Sequence, residues 1–229
     1  MIKDEIIQGT LTVFKHCKID SFPLDCWDII NQYGFKVKKY SELKPKKLEA
    51  CLELSEDAAT LEDTIYYNES KNPKRIRFSL MHELGHIILG TQSETDCDKF
   101  SSHLLAPRIA IHYAKCKNAQ DVVNVFGLSD QAAQLAFDNY RSWHRAVVVY
   151  GMTDLDKELY NYFYDESVDK FVWNKQKCDF CYNDYSYNGN TLCNSCRRFE
   201  LRKSIMPQKY GIDERNLDIA RSYILYGNL

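Results

Sequence analysis

Long hydrophobic runs are missing from this 229-residue chain. The longest stretch free of Asp, Glu, Lys and Arg is Tyr185–Cys196, 12 residues, and it is polar. A membrane-crossing helix needs roughly 20 apolar residues, so no membrane partner is expected. An excess of one charge is missing too: the net charge of −2 creates no field that would hold nucleic acid nonspecifically. Residues 1–10 contain neither the apolar core nor the cleavage site of an export signal, and the expected location is the cytoplasm. Glycine (9) and proline (5) are scarce, which excludes a low-complexity chain and makes each one informative punctuation. What is present is ordinary for a folded protein. Apolar residues make up 45% and charged residues 27%, enough for one or two domains with a real core.

Cysteine is the exception, with nine. Four form two pairs, Cys178-x2-Cys181 and Cys193-x2-Cys196, and the remaining five (Cys17, Cys26, Cys51, Cys97 and Cys116) are scattered. Paired cysteines at this spacing in a chain without an export signal point to metal, while isolated ones act as small buried apolar residues. A disulfide scaffold is not expected.

The pattern of apolar residues gives an α+β fold. Residues 1–34 read as helical: Asp4–Lys15 is amphipathic, and Pro23–Asp25 opens a second helix through Gln32. Phe35–Tyr40, Leu48–Leu54 and Asp63–Asn68 read as strands of a small sheet, with a turn at Asn72-Pro73. From Phe78 the period changes: Leu80, Met81, Leu84, Ile87 and Ile88 recur at helical spacing, between a Ser79 N-cap and a Gly90 C-cap. A helix from Glu94 to Leu105 is stopped by Pro107. Residues 108–145 are helical, with Asn118 or Ser129 as start signals, and Ala146–Tyr150 reads as a short strand or buried run. Residues 172–200 are irregular, and Ile212–Tyr226 reads as a terminal helix.

The chemistry concentrates in His82-Glu83-Leu84-Gly85-His86. On a helix, residues i and i+4 project from one side a turn apart, so both imidazoles can meet one ion, and zinc accepts imidazole nitrogen. Glu83 then lies beside the metal, where it can take a proton from a water the metal has acidified. Gly85 costs roughly 1 kcal/mol in a helix interior, which predicts another segment in close approach there. Two histidines leave zinc short of a third protein ligand, and the next helix offers Glu94, Asp96 and Asp98. His103 on that helix could stabilise an oxyanion or act as a further ligand, or could simply be a packed residue.

The run Arg75-x-Arg77-Phe78-Ser79-x-x-His82-Glu83-Leu84-Gly85-His86, followed by Asp96-Cys97-Asp98-x-Phe100-x-x-x-Leu104-Leu105-Ala106-Pro107, resembles the ImmA/IrrE family of zinc metallopeptidases. The resemblance spans about residues 20–107. It implies a zincin-like domain at 1–110, with catalytic zinc on His82, His86 and the acid at position 96. The family usually places Glu there; this chain has Asp96, one methylene shorter, so Glu94 is the reserve. The resemblance also implies that Glu83 is the general base. The strand carrying Ile65, Tyr66 and Tyr67 is then a substrate-binding edge beside the active helix, which an extended peptide joins by backbone hydrogen bonds. Members of the family are associated with helix-turn-helix repressors of mobile elements, including phage, or of stress responses. A protein substrate of that kind is the expected partner.

The four paired cysteines are not part of the family motif. Two knuckles supply four thiolates in a tetrahedron, the closed coordination of a structural zinc ribbon at 173–200, giving two zinc ions per chain in all. Residues 111–172 are expected to form a mainly helical recognition region and 201–229 a helical tail. The basic cluster Arg197, Arg198, Arg202 and Lys203 would allow the ribbon to contact nucleic acid, although a solvated basic face is the preferred reading. The expected function is a zinc endopeptidase. The alternatives are a regulator that binds a repressor without cutting it and a nucleic-acid-binding protein led by the ribbon.

Overall fold

Ile6, Ile7, Leu11, Val13 and Phe14 are buried along helix α1 (Asp4–Cys17), whose first turn carries Asp4 and Glu5 where the helix dipole favours acids. The computed structural model describes residues 2–166, 169–186 and 191–205. The expected helix Ile212–Tyr226 and most of the expected tail 201–229 lie outside them, as do the side chains of Arg202 and Lys203. The chain is mixed α+β and divides into two compact units, Met1–Trp173 and Asn174–Leu229. Residues 1–110 and 111–172, expected as separate regions, lie in the same unit and share one core. Among the described residues no helix is long and apolar enough to cross a membrane.

Helix α2 (Cys26–Gln32) is capped by the Asp25 carboxylate, which accepts from the N–H groups of Trp27 and Asp28. The chain then enters a three-stranded mixed sheet of β1 (Lys36–Lys39), β2 (Ala58–Leu61) and β3 (Thr64–Tyr67), in the order β1-β3-β2. β1 runs parallel to β3, and β2 runs antiparallel with Leu61 opposite Thr64. The hairpin turn is Glu62-Asp63, and Glu62 takes the left-handed conformation at φ 56°.

Leu48–Leu54 is not a strand. It belongs to helix α3 (Pro45–Leu54), which Pro45 opens at a position where its missing N–H costs nothing. Its apparent alternation comes from Leu52 and Leu54, which are exposed. Cys51 and Leu48, three apart, face a small cluster with Tyr40, Ala59 and Tyr66.

Helix α4 (Pro73–Leu89) starts well before Ser79, because Asn72 caps it by accepting from Lys74 N–H and Pro73 occupies its first turn. Ser79 is therefore a buried mid-helix residue and not the N-cap. Gly90 ends the helix at φ 59° in the left-handed region, as its position suggests. Helix α5 (Glu94–Leu105), helix α6 (Arg108–Tyr113) and helix α7 (Ala119–Phe126) follow. Helix α8 (Asp130–Tyr150) then absorbs Ala146–Tyr150, which is neither a strand nor buried: Val148, Val149 and Tyr150 are exposed. Trp143 and Val147, one turn apart, keep the helix on the core until Gly151 stops it. Helix α9 (Asp154–Phe163) and the short hairpin β4 (Tyr164–Asp165)–β5 (Lys170–Phe171) close the unit.

α6, α8 and α9 are tied by a buried polar knot. Arg108 Nε and Nη2 donate to Asp156 Oδ1 at 3.1 and 2.8 Å, and Trp143 Nε1 donates to Oδ2 at 3.0 Å. The Thr153 hydroxyl also donates to Oδ2, at 2.8 Å, while accepting from Asp156 N–H to cap α9.

The second unit holds an antiparallel pair, β6 (Lys175–Lys177) and β7 (Asp184–Ser186), and helix α10 (Asn194–Ile205).

Candidate metal centre and cleft

A cleft of about 640 Å³ opens between α4 and the outer strand β2. Ala58, Ala59 and Thr60 line it from the strand, and His82, Glu83 and Ile87 line it from the helix. Glu94 and Asp98 of α5 complete it.

The two histidines meet as their spacing requires. His82 Nε2 and His86 Nε2 lie 3.1 Å apart; Glu94 Oε2 is 2.9 Å from the first, and Glu94 Oε1 is 3.5 Å from the second. The opposite nitrogens are engaged. His86 Nδ1 lies 2.8 Å from the carbonyl oxygen of Thr91, and His82 Nδ1 lies 2.9 Å from Asp98 Oδ1. A carbonyl and a carboxylate can only accept, so each Nδ1 carries the proton. The two Nε2 atoms then face each other and the acceptor-only Glu94 carboxylate. A proton can bridge only two of these three groups; a cation satisfies all of them.

The spacing also fits an ion. Tetrahedral zinc with bonds of roughly 2.0–2.1 Å sets its donors about 3.3–3.4 Å apart. His82, His86 and Glu94 are a group able to hold a metal. Asp98 and the Thr91 carbonyl are the partners that fix ring orientation and raise ligand basicity in such centres.

Close helix packing brings Glu94 and Asp98 here. A Cβ built on Gly85 would stand 3.0 Å from Phe100 Cδ1 and 3.4 Å from Cys97 Cα, so α5 runs against α4 at the point where the side chain is missing. The roughly 1 kcal/mol that glycine costs a helix interior is offset by that approach. Phe100 is fully buried and fills the seam.

Glu83 projects from the same helix into the cleft, where it accepts from the Thr60 hydroxyl at 2.6 Å. Burial raises its carboxyl above the ordinary value, while the Thr60 hydrogen bond and the two imidazoles pull the other way. Glu83 is not in the group of His82, His86 and Glu94 able to hold a metal.

Five expected site residues stand elsewhere. Asp96 does not join the histidines: its Oδ2 accepts from Lys3 Nζ at 2.6 Å, and the ammonium lowers its carboxyl from the ordinary value. The reason is helical phase. Positions 94 and 98 are one turn apart and face α4, whereas 96 lies about 200° from 94. Glu94, the reserve candidate, takes the place.

His103 is 2% exposed, with Nδ1 3.2 Å from Thr10 Oγ1 between α5 and α1. It is not among the cleft residues. Burial pushes its imidazole down to about 3, so it is a neutral core residue.

Ile65, Tyr66 and Tyr67 sit on β3, which is the central strand; the edge beside the cleft is β2. Asp98 was one of three acids in view without an assigned role. Its i+4 spacing from Glu94 was the available signal. Thr60 gave none.

In the second unit, the Sγ atoms of Cys178, Cys181, Cys193 and Cys196 converge within 4.8 Å of one another, a second group able to hold a metal.

Residues 46–136 match the family model Peptidase_M78, described as the IrrE N-terminal-like domain. The match runs from α3 into α8 and contains every residue of the His82, His86, Glu94 and Glu83 constellation. It supports the ImmA/IrrE family and a metallopeptidase-like function for the cleft. No curated protein and no solved structure matches the chain.

Proposed function

We propose that the chain is a zinc-dependent endopeptidase, with zinc on His82, His86 and Glu94. The observation that carries this reading is the convergence of both Nε2 atoms and the Glu94 carboxylate, with each Nδ1 beside an acceptor oxygen. Zinc in such a centre polarises a peptide carbonyl and lowers the pKa of water towards neutrality.

The chain's own residues supply the rest. Ala58–Thr60 lie on the outer strand β2 and line the cleft, and an extended substrate laid along that strand would set its scissile carbonyl beside the metal centre. Glu83 accepts a proton from the attacking water and delivers it to the departing amide nitrogen. Its raised proton affinity suits both halves of that task. The Thr60 hydroxyl, donating to Glu83 Oε2, fixes the orientation of the carboxylate. Asp98 and the Thr91 carbonyl keep both rings in the tautomer that presents Nε2. The substrate class implied by the resemblance, a helix-turn-helix repressor, belongs to the same proposal.

The test uses zinc-loaded wild-type protein and Glu83→Gln. Each is incubated with a proteome-derived peptide library and read by mass spectrometry for new termini. The reading requires cleavage by wild type and its loss, on the order of 100-fold or more, in a variant with the same zinc content. Equal cleavage by both, or none by a zinc-loaded wild type on any peptide or on a co-produced repressor, rejects it in favour of a regulator that binds without cutting.

A further inference from the structure

We infer that the described part of the second unit, residues 174–186 and 191–205, is organised around a tetrathiolate zinc ion in place of apolar burial, and that it folds on metal while Met1–Trp173 does not depend on it. Between Asn174 and Leu201, the only buried residues among those described are Cys178 and Cys196. Of the described aromatic side chains here none is buried: Tyr182 is 76% exposed, and Phe180 and Phe199, whose ring centroids lie 6.4 Å apart, and Tyr185 are half-buried. Among the described residues, the hairpin and the helix bury no aliphatic or aromatic side chain, and small scaffolds short of apolar burial rely on a metal or on disulfides.

The thiols are arranged for metal and not for a disulfide. Cys181 Sγ and Cys193 Sγ are 3.9 Å apart, nearly twice the ~2.05 Å of a disulfide bond. Tetrahedral zinc with Zn–S bonds of about 2.3 Å places its sulfurs about 3.8 Å from one another. All four cysteines are free.

Their scaffolding also suits thiolates. Cys178 and Cys181 occupy the connection between β6 and β7. The second pair does not come from another hairpin, as a ribbon would have it; Cys193 and Cys196 lie at the N-terminus of α10. There the free N–H groups and the positive end of the helix dipole face the sulfurs, which favours anionic sulfur. Backbone N–H groups reinforce this: Cys193 N donates to Cys178 Sγ at 3.3 Å, and Cys196 N to Cys193 Sγ at 3.5 Å. Four thiolates on a divalent ion leave a charge of −2, and Arg197 and Arg198 follow Cys196 directly. The donor set is soft and tetrahedral, which selects zinc over magnesium or calcium.

The experiment keeps the full chain and removes the other metal centre. His82→Ala/His86→Ala protein, purified under reducing conditions, is expected to retain one zinc per chain. Cys178→Ser/Cys193→Ser in the same background is expected to retain none. Cobalt exchanged into the first variant should show the visible absorption of tetrahedral cobalt–thiolate, which the second should lack. The folding claim is read on the protein carrying all four cysteines. Stripping its metal with a chelator should make residues 174–205 protease-sensitive and their four thiols alkylatable, while 1–173 stays intact, and zinc should restore protection. Zinc absent from the His82→Ala/His86→Ala protein, or zinc unchanged by the cysteine substitutions, overturns the site. Protection of residues 174–205 that is the same with and without metal overturns the claim that metal is the core. None of these readouts involves cleavage of a substrate, so failure of the peptidase reading would leave them standing.

Discussion

Replacing Asp156 with alanine should destabilise the first unit by about 3–5 kcal/mol, although the residue is far from the cleft in the sequence and has no catalytic part. The carboxylate is 1% exposed and accepts from Arg108, Trp143 and Thr153, so three elements converge on it. Truncation leaves the Arg108 guanidinium, itself 4% exposed, without a counter-charge in a place water does not reach. It also removes the acceptor for the Trp143 indole N–H and breaks the reciprocal cap of α9. The unpaired guanidinium dominates, because an orphaned buried charge costs several kcal/mol while a lost cap costs about 1. Urea titration followed by tryptophan fluorescence measures the change. The double variant Arg108→Met/Asp156→Leu should lose distinctly less than Asp156→Ala alone, since it buries neither charge. A single variant within 1 kcal/mol of wild type, or a double variant that loses as much as the single one, would refute the reasoning. The same pair fixes a pH dependence. Burial raises the Asp156 carboxyl, but Arg108 and the hydrogen-bond donors outweigh it and hold it below the ordinary value. Its contribution is therefore fully present above the unfolded carboxylate pKa near ~3.9 and is lost as pH falls through the lower folded value.

His103 works in a different window: its folded pKa of about 3 lies below the ordinary value near ~6.5, so the unfolded chain binds the proton first and stability falls as pH drops through that interval. The slope should be ~1.4 kcal/mol per pH unit, or about 2 kcal/mol lost by pH 5, and should flatten in His103→Leu; a wild-type slope near zero would count against its burial as a neutral ring. Glu94→Ala should abolish zinc binding to the cleft while Asp96→Ala leaves it in place, as equilibrium dialysis would show; the reverse order would restore Asp96 as the ligand. Asp98→Ala should weaken zinc affinity about 10–100-fold without abolishing it, through loss of ring orientation. Phe100→Ala should cost about 3–5 kcal/mol by opening the seam between α4 and α5, measured by urea denaturation.

Much of the site was legible because it depends on local geometry. The His82/His86 spacing, the place of Glu83 beside them and the close approach at Gly85 all follow from helix periodicity, and each is found in the structure. What was not legible depends on how elements face one another. Asp96 and Glu94 are both acids in the first turn of one helix; only the packing of α5 on α4 decides which of them meets the imidazoles. Strand β2 is hard to see in the sequence because Ala58 and Ala59 carry little β signal and the Glu62-Asp63 turn lacks the usual glycine or asparagine. Missing it moved the substrate edge onto β3. Leu48–Leu54 and Ala146–Tyr150 were misread for one reason: exposed aliphatic side chains on a helix imitate a strand when burial is not yet known.

Ser93 caps α5, its side chain accepting from the Asp96 amide at 3.3 Å, and the cap fixes where the first turn begins. Because that turn carries both a metal-facing and a lysine-facing acid, the hydroxyl sets the rotational clock of the whole helix. Deleting or inserting one residue beside it would swing every side chain by about 100° and hand the imidazoles to a different neighbour. A contact worth about 1 kcal/mol thereby helps decide which acid faces the imidazoles.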